Sequence, residues 1–159
     1  MASADERVAA AAAAAGLQIE IRRFPEGTRT AEDAARAVGC GVGQIVKSLV
    51  FLVDGRPVVA LVSGADRLDP RLLADALGAA GVERADGDAV RAATGYAIGG
   101  VPPFGHASLV PVLMDRALLD HEVVWAAAGR PDAVFSVAPT ALLEAAQATL
   151  ADLRVVPAA

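Results

Sequence analysis

The chain has 159 residues, 55% of them hydrophobic and 21% charged, with a formal charge of −5. This length predicts one domain that buries about 68–70% of its unfolded surface, and the apolar content excludes intrinsic disorder. A single cysteine, Cys40, excludes a disulfide framework and any zinc site of clustered cysteines. The acidic balance argues against a protein that grips duplex DNA or long nucleic acid backbones.

No apolar run approaches the ~18 residues of a membrane span. Residues 1–6 lack the basic start of a secretory signal. A cytoplasmic protein without membrane contact is therefore expected.

Residues 2–15 have strong helix propensity and almost no polar face, with Gly16 as the stop. Residues 18–24 alternate polar and apolar side chains and predict a strand. Thr30 and Asp33 form a near capping box for a helix through Val38. The glycine-rich residues 39–43 then form a loop. Residues 45–53 and 56–63 predict a hairpin around Asp54-Gly55. Asp69-Pro70 opens a helix to about residue 80. A short strand at 82–85 and a short helix at 86–93 come next.

The 94–106 stretch, TGYAIGGVPPFGH, reads as a loop. Strands are predicted at 109–114, 122–127 and 133–138, and Pro139-Thr140 starts a helix to about residue 150. Residues 153–156 form a last strand or tail. Interleaved helices and strands, a hairpin and short crossovers predict an α/β, α+β-like single domain. Its sheet is mixed and largely antiparallel, with flanking helices. Residues 1–15 form the alanine-rich N-terminal helix and residues 16–156 the body of the fold.

Composition singles out one side chain. Thirteen of the fourteen basic residues are arginine; the other is Lys47. Arginine does not replace lysine where a compact ammonium with a movable pKa is needed. Alternation places Lys47 on the same strand face as Ile45, Leu49 and Phe51. Either that face is core and the ammonium snorkels from a rim, or the strand borders a cleft and Lys47 points into it.

The 94–106 loop is open to two readings as well. Gly99 and Gly100 would let the main chain approach a ligand and offer free amides to a carbonyl or oxyanion, with Pro102 and Pro103 stiffening the segment after them. Equally, the loop could be a tight crossover. His106 reads as a general base or as a hydrogen-bonded loop residue. Cys40 reads as a small filler, Trp125 and Phe135 as core, and Asp115 as a turn cap. No P-loop, dinucleotide-binding glycine motif or nucleophile elbow is present, and the two histidines lack metal-ligand spacing.

Three segments, QIVKSLVF at 44–51, VSGADRLD at 62–69 and TGYAIGGVPP at 94–103, together resemble the YbaK/EbsC family. These are stand-alone aminoacyl-tRNA deacylases related to the editing domain of bacterial prolyl-tRNA synthetase. The resemblance runs from about residue 16 to 155. It implies an α/β domain that hydrolyses the ester of a mischarged tRNA, with proline tRNA carrying a small wrong amino acid as the expected substrate.

The family's central lysine matches Lys47, and its Gly-x-x-x-Pro loop matches residues 99–103. Lys47, Gly99 and Gly100 are thus the expected catalytic positions. Val101, Pro102 and Pro103 are the expected substrate contacts, with His106, Thr30 and Phe24 as candidate pocket walls. The resemblance implies water as the attacking group, no metal and no cofactor. The expected partner is the acceptor end of an aminoacyl-tRNA, with prolyl-tRNA synthetase or an elongation factor as further candidates. A non-catalytic binder of aminoacyl-tRNA ends or nucleotides on the same fold is the alternative.

Overall fold

The computed structural model describes residues 2–24 and 30–156. Helix α1 (Ala4–Ala14) is capped by Ser3, whose hydroxyl accepts from the Glu6 amide at 3.4 Å, and it places fully buried Val8 and Ala12 in the core. The N-terminal helix is therefore packed into the fold. Strand β1 (Ile21–Arg23) is shorter than its alternating pattern predicts. Helix α2 (Ala31–Val38) starts where expected: Thr30 Oγ1 accepts from the Asp33 amide at 3.1 Å, and Gly39 ends it at φ +80°.

Strands β2 (Ile45–Val53) and β3 (Arg56–Ser63) form the expected hairpin, with Asp54 and Gly55 both at positive φ in the turn. Asp69 caps helix α3 (Pro70–Leu77), and Asp86 caps helix α4 (Gly87–Thr94), with the short strand β4 (Val82–Arg84) between them. Strands β5 (Val112–Asp115), β6 (Val124–Ala127) and β7 (Ala133–Val137), helix α5 (Pro139–Ala145) and strand β8 (Thr149–Ala151) complete the chain.

Further boundaries correct the sequence reading: α3 ends at Leu77, three residues before the expected stop, because Gly78 turns left-handed at φ +61°. Strand β5 starts at Val112, not at residue 109: Leu109 is wholly exposed, Val110 turns into the core, and the Pro111 carbonyl accepts from the Val59 amide at 2.9 Å as pairing with β3 begins. Helix α5 ends at Ala145, although the alanine-rich sequence favours helix to residue 150. Gln147 takes a left-handed φ of +50°, and Thr149–Ala151 then pairs in parallel with β5. Tertiary pairing overrides local propensity here. Of residues 153–156, Arg154 makes an isolated bridge to Leu68.

The sheet order is β1-β7-β6-β2-β3-β5-β8, with β4 pairing to β2 off this path. The β2–β3, β2–β4, β6–β7 and β1–β7 pairs are antiparallel; β2–β6, β3–β5 and β5–β8 are parallel. Because β3 occupies one edge of β2 along its length, β6 and β4 must share the other. Strand β6 pairs at Ile45–Val46 and β4 at residues 51–53, so the sheet leaves the edge of β2 between them uncovered.

One sheet face carries the main core, where α1, α4 and α5 pack over Val46, Val50, Leu61 and Phe135. On the other face α3 covers Phe51, Val53, Ala60 and Val62 through Leu73, while Ala34 and Ala35 of α2 cover Ile45. Each fully buried aliphatic or aromatic side chain contributes about 1.5–3 kcal/mol.

The crossover from α4 to β5 is fixed by its own hydrogen bonds. The Gly100 amide donates to the Ala97 carbonyl at 3.0 Å, so it is not a free donor. A Cβ at Gly100 would stand 2.9 Å from backbone atoms of Gly129 and Arg130. The glycine therefore lets the loop pack on the β6–β7 turn, and its absent side chain does not open space for a ligand. Further on, His106 Nε2 lies 2.7 Å from the Pro102 carbonyl and ties the proline segment down. Burial lowers the His106 pKa, opposed by that hydrogen bond.

Asp5 and Arg23 join α1 to β1. The Asp5 carboxylate accepts from Ser3 Oγ at 2.6 Å and from Arg23 Nε at 2.8 Å, and Arg23 Nη2 completes the pair. These hydrogen bonds hold its pKa at about 2, below the ordinary 3.8. A depressed carboxyl contributes stability above its unfolded value and loses it as pH falls through the folded one. The gap in melting temperature between the native chain and Asp5→Asn should therefore hold at neutral pH and close between about pH 4 and pH 2. Packing at Gly100 gives a second expectation. Gly100→Ala should cost about 1–3 kcal/mol by overpacking, and Gly100→Val more; urea unfolding of both variants measures this.

Candidate functional site

Lys47 lies between the two apolar clusters of its face. Ile45 on one side packs under α2; Leu49 and Phe51 on the other pack under α3. The ammonium is half-buried and donates to the Asp66 carbonyl at 2.6 Å. Burial pushes its pKa down. The charges of Asp66 and Glu32 act against that shift, and the guanidinium of Arg84 adds to it.

The turn that presents the Asp66 carbonyl is tightly specified. Gly64 donates to the Ile45 carbonyl at 2.7 Å, and Ser63 Oγ both accepts from the Ala65 amide and donates to the Gly43 carbonyl at 2.8 Å. A Cβ on Gly64 would come within 2.6 Å of the Val42 carbonyl oxygen and 2.9 Å of Ala31. Without glycine there, the turn could not lie against α2.

Beside Lys47 opens a cavity of about 550 Å³. Its floor is Ile45, Lys47 and Leu49 from β2, Trp125 and Ala127 from β6, and Val134 from β7. One wall is the start of α2, namely Thr30, Ala31 and Ala34. The opposite wall is Arg84, Ile98, Gly99, Val101 and Pro131. Among the described lining residues the charged side chains are Lys47 and Arg84, and none is a carboxylate; this lining favours a neutral or anionic group over a cation. Its volume lies in the range of small-molecule sites.

Thr30, Lys47, Gly99 and Val101 of the expected site are thus brought together around one cavity. Gly100, Pro102 and Pro103 are buried behind the loop and do not line it. Phe24 is half-buried and bonds through its amide to the Asp132 carbonyl at 2.8 Å, also outside the lining. His106 faces a different depression, with Phe104, Leu109 and Gln147. It is the hydrogen-bonded loop residue of the two readings. Gly99 sits at φ +90°, a conformation that favours glycine at the cavity rim.

Trp125, Arg84, Ile98 and Ser48 also line the cavity, and sequence reasoning missed them. Trp125, expected in the core, is half-buried on the cavity floor, with the Arg22 guanidinium 5.0 Å above its ring. Phe135 does fill the core. Arg84 and Ile98 escaped notice because a short strand and a loop tip carry no pattern that aims them. Alternation does place Trp125 opposite Val124 and Ala126, but only knowing that β6 lies beside β2 puts it next to Lys47. Ser48 adjoins the cavity, and its hydroxyl is buried with no hydrogen-bond partner among the described residues. Such a group costs about 1–3 kcal/mol.

Among the described residues, neither cysteine nor histidine lines the cavity. Cys40 lies in the apolar cluster under α2, where burial raises its pKa. Among the described residues, no three of His, Cys, Asp and Glu group closely enough to hold a metal ion, and no helix is long and apolar enough to cross a membrane. The site offers one ammonium, the Arg84 guanidinium, the Gly99–Val101 main chain, a threonine at a helix start and otherwise mostly apolar walls.

Comparison with known proteins shows what the chain is similar to. Residues 25–145 match the family model described as the aminoacyl-tRNA editing domain. A candidate Cys-tRNA(Pro)/Cys-tRNA(Cys) deacylase, EbsC of Enterococcus faecalis, is 30% identical over 125 residues, covering 78% of this chain and 76% of its own. A proline–tRNA ligase of Citrifermentans bemidjiense is 40% identical over 92 residues, which are 58% of this chain but 16% of the ligase. The chain thus spans about a sixth of such ligases. The crystal structure of a candidate trans-editing enzyme for prolyl tRNA synthetase superposes with a TM-score of 0.92 at 41% identity, covering 98% of this chain and 99% of that one. With both a family model over most of its length and a relative matched over most of its own, the chain belongs to the aminoacyl-tRNA editing domain family.

Proposed function

We propose that this chain is a trans-editing hydrolase that cleaves the ester between a wrong amino acid and the 3′ end of tRNA. Proline tRNA carrying a small amino acid is the substrate this reading favours. The observation that carries it is the half-buried Lys47 ammonium on the floor of a cavity with no carboxylate among the described residues that line it.

The chemistry needed is modest. Water attacks the ester carbonyl carbon, charge develops on the carbonyl oxygen, and the bond to the ribose oxygen breaks. One proton of the water passes to that leaving oxygen. The products are a free amino acid and a tRNA with its 3′ hydroxyl restored.

Lys47 supplies positive charge next to the developing anion, where partial burial strengthens its field. The loop main chain at Gly99 and Val101 flanks the same space. The contact to Asp66 fixes the ammonium before substrate arrives, so little reorganisation is needed during reaction. Losing one such preorganised donor typically costs about 2.7–4 kcal/mol of barrier stabilisation.

Small walls suit a small side chain. Ala31, Ala34 and Ala127 leave room between the larger Trp125, Leu49 and Ile98. Apolar walls distinguish neighbours differing by one methylene only about 10–200-fold.

Lys47→Ala should reduce deacylation of alanyl- or cysteinyl-proline tRNA by at least about 100-fold; release of free amino acid in single turnover measures it. An unaltered rate would overturn the assignment. Lys47→Arg should recover little, since a planar fork does not replace a point charge. If the ammonium is the active form, the rate should fall as pH rises, at a lower pH than an ordinary lysine would give, because burial depresses its pKa. Dialysis against a chelator should leave the rate unchanged.

A further inference from the structure

The cavity mouth carries two cations that the ester chemistry does not use. Arg22 on β1 and Arg84 on β4 are both exposed. Neither has a carboxylate partner among the described residues, whereas Arg23, Arg36, Arg71, Arg116, Arg130 and Arg154 do. Each lies instead over an aromatic ring: Arg22 is 5.0 Å from the centre of Trp125, and Arg84 is 5.7 Å from that of Phe51. Both rings stand on the sheet face of Lys47.

Stacking on a ring orients a guanidinium without consuming its N–H donors. The edge stays free for a bidentate contact, and phosphate oxygens match that fork. In a chain of net charge −5, six arginines pair with carboxylates, while these two, beside the cavity, have no such partner among the described residues. Register sets their spacing. Arg22 pairs with Val134, level with Ala127 on β6, while Arg84 pairs with Phe51 further along β2. Two strand spacings across and about four residues along put their backbones on the order of 15 Å apart. A single strand can bridge that span while its end drops into the cavity. Duplex binding would need a broad basic face, and the net charge of −5 argues against one.

We propose that Arg22 and Arg84 form a two-point phosphate grip for a single-stranded polynucleotide end entering the Lys47 cavity. The proposal rests on the reading of the substrate as an aminoacyl-tRNA, and its test keeps the two apart. Affinity for uncharged proline tRNA is measured against salt concentration. Two phosphates held on a single strand give a log–log slope of about −1.4, since each contributes about 0.7.

Arg22→Gln and Arg84→Gln should each flatten the slope by about 0.7. Arg56→Gln, at the exposed β2–β3 turn, should leave it unchanged. Arg22→Lys and Arg84→Lys keep the charge and should keep the slope. Unaltered slopes in both glutamine variants would overturn the proposal. So would lysine variants with the flattened slope, because the RNA would then be sensing the packing of the ring and not the charge. Wild-type cleavage of an aminoacyl ester of adenosine, which has no phosphate, reports on the hydrolase reading alone.

Discussion

An ammonium in the middle of an apolar strand is the constraint around which this fold is arranged. Lys47 loses solvent to its neighbours Ile45 and Leu49, and the Asp66 carbonyl 2.6 Å away replaces part of that hydration. That carbonyl is held from several directions. The Asp69 amide donates to the Leu153 carbonyl at 2.7 Å, the Val155 amide donates to the Arg67 carbonyl at 2.7 Å, and Arg154 lies 3.9 Å from the Asp66 carboxylate. The Leu153 amide in turn donates to the fully buried Asp115 carboxylate at 2.8 Å. Residues 153–155 thus brace the loop that orients the lysine. Asp115, legible in the sequence as a turn cap, also anchors this brace.

The second constraint is the division of one edge of β2 between two strands. Strand β6 stops after Val46 and β4 begins at Phe51, so the sheet hydrogen bonding lapses where Lys47 stands. An uncovered edge in a core is costly unless something fills it. Here the Gly99–Val101 loop closes one side and the first turn of α2 the other. The cavity is the space left between them. Gly64 and Gly100 make this possible by allowing backbone to meet backbone where a methyl group would collide. Neither glycine touches the cavity, yet both set its shape.

Much of this was legible in the sequence, and the reasons differ by element. The β2–β3 hairpin and the Thr30 and Asp69 caps depend on residues a few positions apart, so local chemistry specifies them. Lys47 was legible through composition, as one lysine among thirteen arginines. Trp125 was not, because its position depends on a parallel pairing between segments 80 residues apart. Strand β8 was hidden inside a helix-favouring run, since pairing with β5 decides its state and no local signal does. The role of Gly100 was misread for a related reason. A glycine in a loop announces a close approach without identifying the group that approaches, and here it is the Gly129–Arg130 backbone instead of a ligand.

The charge of the chain and the charge of its expected substrate oppose each other, and the arrangement of arginines reconciles them. A net charge of −5 repels a polyanion at long range, but that field decays within about 8–10 Å at physiological salt. Contacts at the cavity mouth are shorter than that. On the proposed reading the two ring-stacked guanidiniums hold a strand end there, while the acidic remainder discourages binding along the duplex arm. Such a grip would also retain the released tRNA weakly, because few phosphates would be held. An editing enzyme must let go of correctly emptied tRNA as readily as it captures the mischarged form. A strongly basic surface would slow that release, so the acidic composition and the small positive mouth serve one requirement.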